Sequence, residues 1–251
     1  MTVHGLPFWY ELTTASIPAS SAFYGPVMGW QFKDSGMPGF DYTIASHGTD
    51  MVAGLMGPDT PMPEFWLLTF AVDDCDATAK RVTTLGGTVH RAPQDIPGTG
   101  RFAIAADPQG AVFGLMQPAD GQPGTAYSLS MQVGHANWHE LQTSDPAAAL
   151  RFYTTLLGWT EGQAMEMGAE GTYHLLSMPH GDIGGLMALP QPGIPPHWLP
   201  VFGTDSIAAA MTRIGAQGGK TLHGPMEVPG GAFVCYAADP RGAIFALVGP
   251  A

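Results

Sequence analysis

Two glutamates, Glu11 and Glu140, stand in matching stretches, Trp9-Tyr10-Glu11-Leu12-Thr13-Thr14 and Trp138-His139-Glu140-Leu141-Gln142-Thr143. Each stretch alternates its residue types as a strand with two different faces should. Successive side chains of a strand point to opposite sides, so Trp9, Glu11 and Thr13 share one face, as do Trp138, Glu140 and Gln142. The other face is left to Tyr10 and Leu12, or His139 and Leu141. A carboxyl beside an indole can be desolvated enough to titrate near neutrality and serve as a general base in proton abstraction or isomerisation. The same group can hold a ligand without reacting, or bond to nearby backbone and hydroxyls and simply fix its strand. The indoles offer a flat face to a planar or cationic ligand, a contact worth about 0.5–2 kcal/mol, or they fill the interior of the sheet.

The elements that carry these residues are repeated. Phe23-Tyr24 and Gly29-Trp30 are echoed by Phe152-Tyr153 and Gly158-Trp159 at a constant offset of about 129 residues, which makes the chain two copies of one folding unit. Behind each first strand the spacing predicts a capped helix. Ser16-Ile17-Pro18 leads into Phe23, Tyr24 and Val27 with Gly29 as the stop, and Asp145-Pro146 leads into Leu150, Tyr153, Leu156 and Leu157 with Gly158 as the stop. Strands follow over 41–46 and 51–56 in one copy and 173–178 and 183–187 in the other. The order then recurs within each copy. A strand over 66–72, a helix over 76–85 and strands over 101–105 and 111–116 match 198–204, 206–216, 233–237 and 243–248. Asp107-Pro108-Gln109-Gly110 and Asp239-Pro240-Arg241-Gly242 join the last strands, with proline and glycine placed for a tight type I reversal. Trp30 and Trp159, at the helix ends, fit core positions, and the proline-rich stretches 58–63 and 190–196 read as mobile connections.

Composition narrows the possible partners. A formal net charge of −12 from 12% charged residues argues against nucleic acid or an anionic membrane, since both need clustered Lys and Arg. It favours cationic ligands. No apolar run approaches the roughly 18 residues of a membrane span, and the start of the chain lacks the pattern of an export signal. Cys75 and Cys235 sit at non-equivalent places in the two copies, which excludes a repeated disulfide framework and points to the cytoplasm. The nine histidines show no repeated ligand-like spacing. No nucleophile elbow, Walker loop, dinucleotide fingerprint or paired-cysteine zinc motif occurs, so no cofactor is expected. Arg101, in Pro97-Gly98-Thr99-Gly100-Arg101-Phe102, has no counterpart in Pro229-Gly230-Gly231-Ala232-Phe233-Val234. It can clamp a carboxylate or phosphate, or pair with a surface aspartate.

The strand, the capped helix ending in Phe-Tyr then Gly-Trp, the later Gly-Gly and the terminal Asp-Pro-x-Gly hairpin together resemble the vicinal oxygen chelate superfamily. That superfamily includes glyoxalase I, extradiol dioxygenases, fosfomycin-resistance enzymes and bleomycin-resistance proteins. The resemblance covers essentially the whole length. It implies an α+β fold of four βαβββ modules in two tandem glyoxalase-like domains, residues 1–125 and 126–251, whose curled mixed sheets form cups. In metal-dependent members a ligand sits on the first strand of each module and a carboxylate on a last strand. Carried over by the family's spacings, these positions fall on Trp9, Trp66, Trp138 and Trp198, and on Gly114 and Ala246. None of the six can donate an electron pair to a divalent cation, so the implied cups hold no metal of the family's kind.

Two functions follow as expectations. One is a binding protein in the manner of the bleomycin-resistance group, whose aromatic-lined cup takes a small, planar, apolar or cationic molecule. Its ligand-binding residues would be Trp9, Thr13, Trp66, Arg101, Gly114, Trp138, Gln142, Trp198 and Ala246. The other is a glyoxalase-like lyase, isomerase or dioxygenase, either metal-independent with Glu11 or Glu140 as catalytic base, or with a metal at other positions. A small molecule is the expected partner. Because the domains are fused, contacts that smaller relatives form between subunits can be made within one chain, which allows a monomer or a homodimer.

Overall fold

A computed structural model describes residues 3–37, 39–58, 62–168, 171–191 and 193–251. Each repeated stretch becomes a module of one strand, one helix and three further strands. Module 1 contains β1 (Pro7–Thr13), α1 (Ile17–Met28), β2 (Gln31–Asp34), β3 (Tyr42–His47) and β4 (Asp50–Met56). Module 2 contains β5 (Phe65–Ala71), α2 (Cys75–Thr84), β6 (Thr88–Ile96), β7 (Gly100–Ala106) and β8 (Val112–Pro118). Module 3 contains β9 (Ala136–Thr143), α3 (Pro146–Leu157), β10 (Thr160–Glu166), β11 (Thr172–Met178) and β12 (Gly181–Ala188). Module 4 contains β13 (His197–Gly203), α4 (Ile207–Ala216), β14 (Lys220–Glu227), β15 (Phe233–Ala238) and β16 (Ile244–Gly249). Of the two proline-rich stretches, residues 59–61 and 192 lie outside the described residues.

The strands form two eight-stranded mixed sheets, ordered β2-β3-β4-β1-β5-β8-β7-β6 and β10-β11-β12-β9-β13-β16-β15-β14. The α+β class of four βαβββ modules is therefore present as the resemblance implied. In every module the first strand lies parallel to the last, with Glu11 opposite Gly54, Thr69 opposite Gly114, Glu140 opposite Gly185 and Val201 opposite Ala246. The strands left unassigned by the sequence reading, β2, β6, β10 and β14, are the four sheet edges. Their side chains are mostly exposed and polar, and β6 and β14 carry a proline and a shifted register. Such features blunt an edge against further pairing and also erase the alternation by which a strand is read.

All four helices start on a side-chain cap. Ser16, Asp74, Asp145 and Ser206 accept the amides of Ala19, Ala77, Ala148 and Ala209, each satisfying a donor that the first helical turn leaves free. Gly29 and Gly158 end α1 and α3 in the left-handed region, at φ 74° and 73°, where glycine pays no steric penalty.

By packing, the chain divides into two compact units, each drawing one module from either half. One comprises Leu68–Gly124 and Trp138–Trp198 with the segment ending at Phe8; the other comprises Trp9–Leu67, Thr125–Asn137 and Leu199–Ala251. They are called central and terminal here, after their places along the chain. In the terminal unit Tyr24 stacks on Trp30 (5.9 Å, 25°) and meets Trp66 edge-on (5.4 Å, 85°). Trp66 Nε1 donates to Tyr24 Oη (3.1 Å), which donates to Asp239 Oδ2 (3.2 Å). In the central unit Tyr153 stacks on Trp159 (5.7 Å, 20°) and meets Trp198 edge-on (5.1 Å, 84°). Trp198 Nε1 donates to Tyr153 Oη (2.9 Å), which donates to Asp107 Oδ2 (3.1 Å). The other oxygen of each aspartate accepts two amides of its own hairpin. Two motifs far apart in sequence, Phe-Tyr and Asp-Pro-x-Gly, are thus joined in one buried hydrogen-bonded chain. Trp30 and Trp159 are core residues, donating to the carbonyls of Gly134 and Gly5.

Candidate functional site

On the face of β1 away from α1, Trp9 is half-buried and its Nε1 donates to Tyr42 Oη on β3 at 2.8 Å. Trp138 on β9 does the same to Tyr173 Oη on β11, also at 2.8 Å. Each phenol then engages the glutamate two residues beyond its tryptophan, Tyr42 with Glu11 and Tyr173 with Glu140. Burial first, and the adjacent carboxylate second, push both phenols well above their ordinary pKa. They therefore stay protonated around neutrality and present O–H donors to the carboxylates. Gly54 and Gly185, paired with the two glutamates, make room for the rings, since a Cβ at either would overlap the tyrosine. The result is a Trp-Tyr-Glu set in each half, in which the indole orients the phenol and the phenol orients the carboxylate.

The tyrosines escaped the sequence reading. Their trace was present in the repeated Gly54-Leu55-Met56 and Gly185-Leu186-Met187, each facing a Tyr-containing strand, but a glycine in a strand does not say which ring it admits. The two sets also differ. Gln142 Nε2 donates to Glu140 Oε1 at 2.9 Å and Glu140 is 4% exposed. Glu11 is half-buried, and the position matching Gln142 is the buried Thr13.

Five further positions were expected to contact the ligand. Trp66 and Trp198 lie on the helix side, 5% and 4% exposed, in the aromatic cores described above. The outward strand positions next to them are Leu67 and Leu199, both buried. A shift of one residue along a strand transfers a side chain to the opposite face, and the spacing carried over from the family was off by that one residue. Arg101 also points away from the cup face. Its guanidinium pairs with Asp76 of α2 (2.5 Å) and with Asp95 (2.8 Å), and the Asp76 carboxyl is held below its ordinary pKa chiefly by that bond. Gly114 makes space for neighbours, because a Cβ there would press on Thr69 Oγ1 and the Phe102 ring. Ala246 is fully buried between Val201 and Tyr236.

The donor set does not fit a divalent metal ion. Trp9, Leu67, Gly114 and their counterparts Trp138, Leu199 and Ala246 carry no ligand atom, and among the described residues no three His, Cys, Asp or Glu side chains gather around one point. Two surface cavities, of about 120 and 370 Å³, lie elsewhere. The first is lined by Ser20, Phe23, Asp239 and Arg241 among others, the second by residues 95–98 and 100–101 with 117–119. Neither includes a member of a Trp-Tyr-Glu set.

Residues 7–115 and 132–247 match the family model of the Glyoxalase/Bleomycin resistance protein/Dioxygenase superfamily. The chain belongs to that superfamily. A Mycobacterium tuberculosis (strain CDC 1551 / Oshkosh) member named "Putative glyoxylase CFP32" is 35% identical over 253 residues, covering 98% of this chain and 95% of the relative. The "Anthracycline biosynthesis protein DnrV" of Streptomyces peucetius is 32% identical over 267 residues, covering 97% and 93%. Among solved structures, the Mn(II)-bound glyoxalase from Novosphingobium aromaticivorans aligns with a TM-score of 0.70 at 17% identity, over 99% of this chain and 83% of the other. The 2,2',3-trihydroxybiphenyl 1,2-dioxygenase of Sphingomonas wittichii strain RW1 also aligns at 0.70, with 14% identity over 98% and 90%. At such identities the structural likeness speaks for the superfamily fold alone. No helix among the described residues of this superfamily member is long and apolar enough to cross a membrane.

Proposed function

We propose that the chain binds a small, planar, apolar or cationic molecule against its Trp-Tyr-Glu sets, in the manner of the bleomycin-resistance branch of its superfamily. The observation that carries this reading is the duplicated arrangement of an oriented indole, a phenol held protonated and a carboxylate on a face without metal ligands. The indole supplies a stacking surface and the carboxylate an acceptor that favours cations. The net charge of −12 raises the local concentration of such ligands. The name of the Streptomyces peucetius relative supports the same direction, because an anthracycline is a planar fused-ring aromatic. We also infer a cytoplasmic setting, supported by Cys75 and Cys235, which are free, buried thiols pushed up to about 11 by desolvation.

Calorimetry of the full chain against neutral and cationic planar compounds tests the reading. Saturable binding that weakens by about 2- to 30-fold in Trp9→Ala or Trp138→Ala is expected, the range that one cation–π contact supplies. Absence of binding across the panel, together with detectable turnover of a glyoxalase or catechol substrate, sinks it.

A second reading is supported by the Tyr-Glu contacts and by the relative named as a glyoxylase. In it, Glu11 or Glu140 takes a proton from the substrate while the tyrosine hydroxyl steadies the carboxylate. Under that reading Glu11→Gln or Glu140→Gln lowers turnover by at least about 100-fold; unchanged rates in both remove the base role.

A further inference from the structure

The two sets share their three named residues but not their surroundings. In the second half Gln142 donates to Glu140 and the carboxylate is nearly closed off. One carboxylate oxygen is already bound to an amide that only deliberate displacement would free. In the first half Thr13 takes the place of Gln142, too short to repeat that bond, and Glu11 keeps half-buried access to solvent. A second difference lies beside the phenol. Phe40, two residues before Tyr42, is 40% exposed and its ring stacks on the Tyr42 ring at 5.8 Å with an interplanar angle of 18°. Two residues before Tyr173 stands Gly171, with no ring to offer.

Resting on the binding function proposed above, we infer that the first-half set is the working site and that its ligand is a planar aromatic cation. Phe40 stacks on Tyr42, whose hydroxyl accepts from Trp9, so the three rings follow one another on the first-half set. The exposed face of Phe40 is large apolar area left in water, which a flat ligand would cover. Glu11 provides the compensating charge, oriented by the Tyr42 hydroxyl, and pairs with a protonated amine or imine on the ligand rim. The second-half set serves the sheet: its glutamate is 4% exposed and bound by Gln142 and Tyr173, and Gly171 brings no second ring beside that phenol.

The test is calorimetry of the full-length chain with proflavine, a planar aromatic cation, and with fluorenone, a neutral planar ring system. One equivalent of proflavine is expected per chain, bound at least about fivefold more tightly than fluorenone. Phe40→Ala and Glu11→Gln each weaken proflavine binding by about fivefold or more, and Phe40→Tyr, which keeps the ring, restores it. Unchanged circular dichroism in the variants separates lost binding from lost fold. Two equivalents per chain, or binding that survives both Phe40→Ala and Glu11→Gln, overturns the assignment to the first half while leaving the binding function in place. Preference for fluorenone overturns the cationic class. If neither compound nor any other planar probe binds, the proposed function itself has failed.

Discussion

The terminal and central units run the same buried chain of donors, Trp66 to Tyr24 to Asp239 in one and Trp198 to Tyr153 to Asp107 in the other. Their remaining parts have drifted. Tyr10, packed edge-on against Phe202 at 5.7 Å, corresponds to His139. Glu64 pairs with Arg241 in the terminal unit, where the central unit carries Pro196 and Gln109. Thr13 and Phe40 correspond to Gln142 and Gly171. The shared donor chain has stayed fixed because each ring in it touches several others and each phenol oxygen links a donor to an acceptor, so a single change strands the rest. The sheet faces away from the helices keep their Trp-Tyr-Glu sets but differ around them, at Thr13 against Gln142 and Phe40 against Gly171, and that is where one copy could specialise.

The largest effect should come from breaking the shared interior. Trp66→Ala and Trp198→Ala each remove a buried indole and leave a tyrosine oxygen without its donor, at a cost of about 3–5 kcal/mol. Urea unfolding followed by circular dichroism should show comparable losses for the two. A cost below about 1 kcal/mol in either would mean that the units are alike in outline only.

A smaller effect isolates the difference between Tyr10 and His139. His139 is fully buried, its Nδ1 sits 2.5 Å from the Ile183 carbonyl, and burial lowers its pKa to about 4 against the bond to Ile183. Between about pH 6.5 and 4 the unfolded chain binds a proton there that the folded chain refuses. Stability from this residue is complete above about pH 6.5 and is lost as pH falls, by on the order of 3 kcal/mol at pH 4. His139→Gln should lack that increment of acid sensitivity, read from urea midpoints at pH 7 and pH 4.5. Equal acid losses in wild type and variant would show that the proton goes elsewhere.

The smallest effect concerns Arg101, which faces α2 and solvent. Arg101→Ala should leave proflavine binding at the wild-type level and shift the melting temperature only slightly, less still in high salt. A clear loss of affinity would return this arginine to the ligand.

Much of this arrangement could be read from the chain before any coordinates. The repeat, the caps at Ser16 and Asp145, the glycine stops and the common face of Trp9, Glu11 and Thr13 all depend on local spacing, which folding preserves. Tyr42, Tyr173 and the Tyr-Asp links depend on which strand or hairpin is brought alongside, and no local pattern records that. Trp66 and Trp198 failed for a narrower reason. Their strands are apolar on both faces, Phe65–Ala71 and His197–Gly203 being buried almost throughout, so alternation offered nothing against which to check a count borrowed from elsewhere.

The hydrogen bond from Tyr24 to Asp239 also has a bearing on how the protein is made. Tyr24 and Asp239 lie 215 residues apart, against 46 for Tyr153 and Asp107, so the terminal unit cannot close until that whole intervening stretch has been synthesised. Its indole and phenyl surfaces need shelter during that interval. The central unit, whose modules are neighbours in sequence, closes a shorter loop and can form first.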